Sequence, residues 1–500
     1  MSPTSSNSLT VIDNRNGKKY VIPISTTAHD SAIAASAFKD IVHERENGEK
    51  QGLRVTDRGF LNTAVIQSSI TFIDGDKGIL RYRGYPIEQL AESSTFLESA
   101  YLLIWGELPT KSQYSLFHDE VMNHSTTHVD TEEIFRSFRY DAHPMSILTS
   151  VFAALGSYYP EANPSLQGQT LFTKQTQSAI ENMDKQIYRL IGKAPTLAAM
   201  AYRVRQGRHF ITPPPGLSYT GSFLYQMDCL GQQDFKPNPV LERALDTLFL
   251  LHADHELNAS TTTVLQAASS LTDPYSAISN SFVCIVRDAH RSSQYTVSVV
   301  FCGANEAVIR MLISIGSPDK VPEFIEQVKK REKVLSGFGH RVYKTTDPRS
   351  YIIRKTADEV FKVTGKDPLV ETAMRLHDVA LKDEYFVKRN LYPNVDFWAA
   401  SGLIYKAMGF PLDFFPVLFA VPRVVGWVAH WRQMMLSPDG VKIWRPRQIY
   451  VGPSVRDYSP IEDRDEVDRK KVTDAPTAVF HSGQSKRTQL ASYIGKRSKL

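Results

Sequence analysis

Cysteine is scarce. The chain has 500 residues and three cysteines, Cys229, Cys284 and Cys302, with no Cys-x-x-Cys pair. That excludes a disulfide scaffold and a cysteine-zinc site, and it fits a reducing compartment. Charge of one sign is not in large excess. Lys and Arg number 58 against 53 Asp and Glu, a formal net charge of +5. Both signs are interspersed with no basic stripe, which argues against nucleic-acid binding and leaves a mild preference for small anions. An uninterrupted apolar run is also missing. The most apolar stretch, Phe414 to Trp431 (FFPVLFAVPRVVGWVAHW), is broken by Pro416, Pro422 and Arg423, so it reads as a buried helix rather than a membrane span. There is no fixed-period repeat and no H-E-x-x-H. The Ser/Thr/Asn-rich start has no basic-then-apolar leader pattern and reads as a loose tail.

What is present is ample apolar material, 42% of the chain, enough for a large core and roughly two to three domains by length. Leu9 to Ile24 (LTVIDNRNGKKYVIPI) is two β-type runs around Asn16-Gly17, a hairpin signal. After about Asp57 the pattern turns helical. Thr95 and Glu98 predict a capping box ahead of an apolar run that stops at Gly106. The next long helical pattern, from Gly168 to Val204, has expected breaks near Gly192 and Pro195. Thr212 to Gly216 (TPPPG) is a stiff loop, and Asn238 onward is helical again. The last forty-odd residues lack apolar periodicity and read as a tail. Convincing strands are few, so the expected class is mainly α.

Four segments place polar groups where a structural helix would not want them. His252-Ala253-Asp254-His255-Glu256 follows an apolar run, so it lies near a helix end close to the core. Its H-x-x-H-E order is not the zincin pattern, and a capped histidine pair is the plain structural reading. Gly337 to Arg349 (GFGHRVYKTTDPR) offers glycines that let backbone approach a ligand. There Asp347-Pro348 reads as a helix start. Arg349 then sits in the first turn, where a cation opposes the helix dipole and calls for an anionic partner. Asp396 stands among Val395, Phe397 and Trp398; it is either an N-cap or a general base with a pKa set by burial against capping bonds. Arg423 has no acidic residue near it in sequence between Asp413 and Asp439. A buried guanidinium needs a partner, supplied by a distant carboxylate or by a substrate carboxylate. Arg445 and Arg447 follow. Several histidines, three or more arginines and one apolar-flanked Asp suit a di- or tricarboxylate substrate and acid–base carbon chemistry.

These residues resemble a known family. HADHELNAST, GFGHRVYKTTDPR, PNVDFW with SGLIYKAMG, FAVPRVVGWVAHW followed by RPRQIYVG, GANEAV, and the stretch from SSITFIDGDKGILRYRGYPIEQL to LLIWGELPT are similar to citrate synthases, in order, from about Ser8 to Arg464. The resemblance implies a mainly α, citrate-synthase-like two-domain fold with a short N-terminal β-hairpin, working as a homodimer. Its expected parts are a tail and hairpin over 1–56, a large helical domain over 57–300 and 403–464, a small closing domain over 301–402, and a C-terminal tail over 465–500. The implied reaction condenses acetyl-CoA with oxaloacetate and water to give citrate and CoA, with no metal or prosthetic group and with a coenzyme A thioester as substrate. By the same resemblance Asp396 matches the base that takes a methyl proton from acetyl-CoA, and His340 the histidine that bonds and protonates the oxaloacetate carbonyl. His255, Arg349 and Arg423 match oxaloacetate ligands, and Arg445 an arginine reaching the site from the partner subunit. Leu335, Ser336, Gly337, Phe338, Gly339 and Asn394 match the CoA-binding segment. Such chemistry needs a poised carboxylate, stabilised oxyanion charge and a site closed to water.

The chain also departs from the family. Aligned on Gly303-Ala304-Asn305, the histidine that polarises the thioester carbonyl falls on Phe301, and its glycine on Cys302. The segment from Ser279 to Gly303 is longer than the family's and strand-like, with His290 its only histidine. Three readings are open: a gene-model error, a true variant with impaired activity, or His290 folding back into the site. Ala399-Ala400 reads as a small insertion. A 2-methylcitrate or alkylcitrate synthase, or a non-catalytic binder of oxaloacetate or CoA, are the alternative functions. Finally, Ser498-Lys499-Leu500 at the C-terminus reads as a peroxisomal address for an import receptor.

Overall fold

Alternating β-branched and polar residues make β1 (Ser8–Asp13) and β2 (Lys18–Thr26), which pair antiparallel with Ser8 opposite Pro23 and Asp13 opposite Lys18. The turn between them needs Gly17, whose φ is +72° and whose N–H bonds the Asp13 carbonyl at 2.7 Å. The expected hairpin is therefore present, extended by β3 (Ser31–Ile33) on its other edge. The computed structural model describes residues 7–44, 48–285, 304–338, 343, 345, 347–389, 400–453, 455–460 and 462.

The helical pattern does not begin at Asp57. After a small hairpin of β4 (Val42–Glu44) and β5 (Lys50–Gly52), a second three-stranded sheet holds β6 (Thr71–Asp74), β7 (Ile79–Tyr82) and β8 (Tyr85–Pro86). Asp74 caps the β6–β7 turn by accepting from the N–H groups of Asp76 and Lys77. The apolar residues here alternate over runs too short to stand out in sequence. Thr71 faces Tyr82 across the pair.

Helices dominate from Ile87 on. In α1 (Phe96–Trp105) the Thr95 side chain accepts from the Glu98 N–H, and Gly106 closes the helix at φ +98°. The reciprocal half of the capping box is absent: the Glu98 carboxylate takes the Ser94 hydroxyl instead. The expected breaks at Gly192 and Pro195 do not occur. Helix α2 (Gln177–Arg205) runs through both. A Cβ on Gly192 would lie 2.2 Å from the Val121 carbonyl, so the glycine serves a close crossing. Beside it the buried Lys193 ammonium donates to the carbonyls of His124 and Thr126, tying the helix down where proline weakens it.

Helix α3 (Pro239–His252) starts at an Asn238 cap, with Pro239 in the first turn. Helix α4 (Arg349–Thr364) packs against it. Helix α5 (Phe415–Met435) is nearly all buried, from Phe415 and Val417 to Trp427 and Trp431, and passes through Pro422. It is long and apolar enough to cross a membrane by composition, but its apolar window is packed inside the chain, as the interrupting Arg423 and prolines imply. Met1–Trp444 group as one compact unit and Arg445–Leu500 as a second. The described residues of the second are exposed and without helix or strand up to Ser459; Arg445 and Arg447 are among them.

Candidate functional site

The site is built on the C-terminal end of α3. A helix leaves its last carbonyls without internal partners and its C-terminus negative. Here two buried arginines from two other helices take consecutive carbonyls. Arg349 Nη1 donates to Leu251 at 3.3 Å, and Arg423 Nε donates to His252 at 2.7 Å. Both arginines are only 1% exposed. Two residues matched to oxaloacetate binding thus meet at one helix end.

Each is balanced differently. The anionic partner that Arg349 calls for is at hand within the chain: Asp347 accepts from Arg349 Nε at 3.0 Å and from Nη2 at 2.8 Å, and also from the Arg349 backbone N–H. Burial disfavours the guanidinium charge, but the attraction and hydrogen bonds of Asp347 outweigh it and hold the group protonated. Of the five guanidinium N–H donors of Arg349, two go to Asp347 and one to the Leu251 carbonyl, which leaves donors for a second anion. Arg423 lies over the Phe419 ring, 4.7 Å from its centroid.

His252 lies beside both guanidinium groups, fully buried, its ring 4.6 Å from that of Phe419. Burial first, then the charges of Arg349 and Arg423, push its pKa well below the ordinary imidazole value, so it is neutral. His255 is also buried, with its ring edge-on to Tyr343 at 5.7 Å. Burial drives the Tyr343 hydroxyl up, followed by repulsion from Asp347. The Tyr82 hydroxyl donates to the Asp254 carbonyl at 2.8 Å and accepts from the Asp254 N–H. Burial and then Asp254 raise it to about 12, so it stays a neutral donor.

Asp254, fully buried, accepts from the Thr71 hydroxyl at 2.5 Å and from the Glu256 N–H at 3.1 Å, and meets His430 Nε2 at 3.2 Å. Burial pushes its carboxyl up, but His430 and then Arg423 and Thr71 bring it below the usual value, so it is ionised.

The structure therefore brings His255, Arg349 and Arg423 into one neighbourhood. On the expected CoA segment, Phe338 is buried, Gly337 holds φ +82°, and the Ser336 N–H points at the Met311 sulfur at 3.3 Å. His340, Gly339, Asn394, Asp396 and Phe301 lie outside the described residues, as do Ser498, Lys499 and Leu500. Sequence reasoning missed Asp347 as the counter-ion of Arg349, although its place two residues earlier was a usable signal. It also missed Thr71, Tyr82 and His430, whose distance in sequence from Asp254 gave none.

The Citrate synthase, C-terminal domain family matches residues 59–447. A peroxisomal citrate synthase of Dictyostelium discoideum is 53% identical over 91% of this chain and 87% of its own length. A glyoxysomal citrate synthase of Cucurbita maxima is 49% identical over 91% of this chain and 84% of its own. Among solved structures, the citrate synthase of Pyrobaculum aerophilum superposes with a TM-score of 0.71 at 34% identity, covering 85% of this chain and 97% of that one. The citrate synthase of Thermoplasma acidophilum, solved as a ternary complex with carboxymethyl coenzyme A and oxaloacetate, gives a TM-score of 0.69 at 30% identity over 81% and 98% of the two chains. With the helix-end pair of arginines in place and likeness of this extent, the chain belongs to the citrate synthase family and is a transferase enzyme.

Proposed function

We propose that this chain condenses acetyl-CoA with oxaloacetate and water to citrate and free CoA, and that the end of α3 is its oxaloacetate cradle. The observation that carries this is the meeting of Arg349 and Arg423 on the carbonyls of Leu251 and His252, with His255 close by. Two buried guanidinium groups beside neutral imidazole suit a small dicarboxylate, because arginine grips a planar carboxylate with paired donors.

In this reading His255, Arg349 and Arg423 hold oxaloacetate. Asp396 removes a methyl proton from acetyl-CoA, and the enolate carbon attacks the oxaloacetate carbonyl carbon. His340 donates a hydrogen bond to that carbonyl oxygen and then its proton. Water cleaves the thioester, releasing CoA. Leu335, Ser336, Gly337, Phe338, Gly339 and Asn394 hold the CoA, a small domain over 301–402 closes the site to water, and Arg445 enters from the second subunit of a homodimer. No metal is required by this chemistry. The names of the peroxisomal and glyoxysomal relatives support import through Ser498, Lys499 and Leu500.

Phe301 bears on rate rather than on substrate. The neutral ring cannot donate a hydrogen bond to the thioester oxygen, and losing one such donor costs about 10²–10³ in turnover. The test is CoA release by the purified full chain from acetyl-, propionyl- and long-chain acyl-CoA, each with and without oxaloacetate. Release from acetyl-CoA that requires oxaloacetate is expected. Faster release from the longer thioesters would reassign the substrate, and binding of oxaloacetate without any release would make the chain a non-catalytic homologue.

A further inference from the structure

The turn after α3 is clamped from two sides, and apart from Arg423 the clamping groups have no part in the proposed reaction. Arg423, Gly426 and His430 recur at the three-and-four spacing of one face of α5. They meet three consecutive residues: Arg423 Nε donates to the His252 carbonyl, the Gly426 N–H to the Ala253 carbonyl at 3.1 Å, and His430 Nε2 pairs with Asp254 Oδ2. Gly426 is required at the middle step, since a Cβ there would lie 2.5 Å from both the Ala253 carbonyl and Asp254 Oδ1. From the other side, Thr71 and Tyr82, paired across β6 and β7, bond the Asp254 carboxylate and backbone.

Asp254 and His430 have side-chain exposures of 0% and 2%. A buried ionisable pair returns little more stability than well-packed apolar residues of the same volume, so stability alone does not explain it. What it supplies is a fixed register between the turn and α5. One residue after Asp254 stands His255, and on the same face of α5, toward its start, stands Arg423.

We propose that Asp254 and His430 are positioning residues for dicarboxylate binding, locking the turn so that His255 and Arg423 face the same small ligand. The proposal rests on the reading above for the identity of that dicarboxylate as oxaloacetate. Packing alone would make the same residues matter only for stability.

The experiment is calorimetric titration of oxaloacetate into the full-length chain and its His430→Ala, His430→Gln and Asp254→Asn variants, with denaturation midpoints measured in parallel. Breaking the pair is expected to raise the oxaloacetate Kd about tenfold in His430→Ala and Asp254→Asn, while His430→Gln, which keeps a donor toward Asp254, stays within about threefold. The double variant His430→Ala/Asp254→Asn should bind no worse than the weaker single variant, because both remove one contact. An unchanged Kd in folded His430→Ala overturns the proposal, whatever happens to its melting. Should Asp254→Asn fail to fold, Thr71→Val, expected to weaken binding several-fold by removing one bond to the same carboxylate, takes its place. CoA release by the unaltered chain separates the two claims. A Kd that depends on the pair without turnover leaves the positioning role standing and removes the synthase reading. Normal turnover with an insensitive Kd does the reverse, and no oxaloacetate binding by the unaltered chain removes both.

Discussion

Arg349 and Arg423 reach the same helix end by different routes. Arg349 opens α4, and a carboxylate two residues before it grips two edges of its guanidinium. Arg423 lies in the interior of α5, where a backbone carbonyl and an aromatic face meet it. The first arrangement is local and self-neutralised, so its counter-ion belongs to the fold. The second depends on elements far apart in sequence, and its charge is shared with the turn that carries His255. A buried arginine is thus not by itself a substrate ligand. What surrounds it decides whether removing it damages the fold or the binding.

The largest expected effect breaks the first arrangement. Asp347→Ala leaves a buried guanidinium without its carboxylate and should lower stability by about 3–5 kcal/mol in denaturant unfolding. Replacing both partners, Asp347→Leu with Arg349→Met, should recover much of that loss while abolishing oxaloacetate binding. If the single variant loses under about 1 kcal/mol, the view of Arg349 as internally neutralised is wrong.

Arg423→Leu should show the opposite balance. It leaves a buried carbonyl rather than a buried charge without its partner, so it should cost only about 1–3 kcal/mol of stability, whereas a lost carboxylate ligand weakens binding by about a hundredfold. Denaturation and kinetics on one preparation give both values. Gly426→Ala comes next, at about 1–3 kcal/mol, because its methyl group meets the Ala253 carbonyl and the Asp254 side chain in a packed core. The melting midpoint reads it.

The smallest effect adds a third buried charge to the comparison. Asp246 accepts from the Phe96 N–H at 3.1 Å, with Arg243 3.6 Å away. Burial raises its carboxyl from 3.8 to about 6, against the pull of that N–H and of Arg243. The folded state therefore holds its proton more tightly than the unfolded chain, so this group's stability contribution is full below 3.8 and is lost as pH rises through about 6. Asp246→Asn keeps an acceptor and should raise stability by up to about 2 kcal/mol at pH 7, with no gain at pH 4. Thermal melts at the two pH values check the sign.

Much of this was legible in the sequence for physical reasons. The N-terminal hairpin announced itself through Asn16-Gly17, the core helix through its apolar run, and the helix start before Arg349 through Asp347-Pro348. Gly192 and Pro195 misled because glycine and proline signal breaks locally, while a tertiary crossing at the Val121 carbonyl required the glycine and Lys193 secured the helix beside it. The sheet at Thr71–Pro86 was too short for its alternation to register. In the site, Arg423 was recognisable as a problem from sequence, since an arginine amid apolar residues demands a partner. Its solution was not, because the His252 carbonyl lies on another helix. The same holds for Asp254, whose partners Thr71 and His430 come from opposite ends of the described chain.

The central claim is that the end of α3, with Arg349 and Arg423 upon it, is where oxaloacetate binds. Calorimetric titration of oxaloacetate into the unaltered chain and into Arg423→Leu tests it most directly. Saturable binding at one site per chain, weakened about a hundredfold in a variant that still unfolds cooperatively, is the predicted result. Equal affinity in the two proteins, with the variant folded, would contradict it.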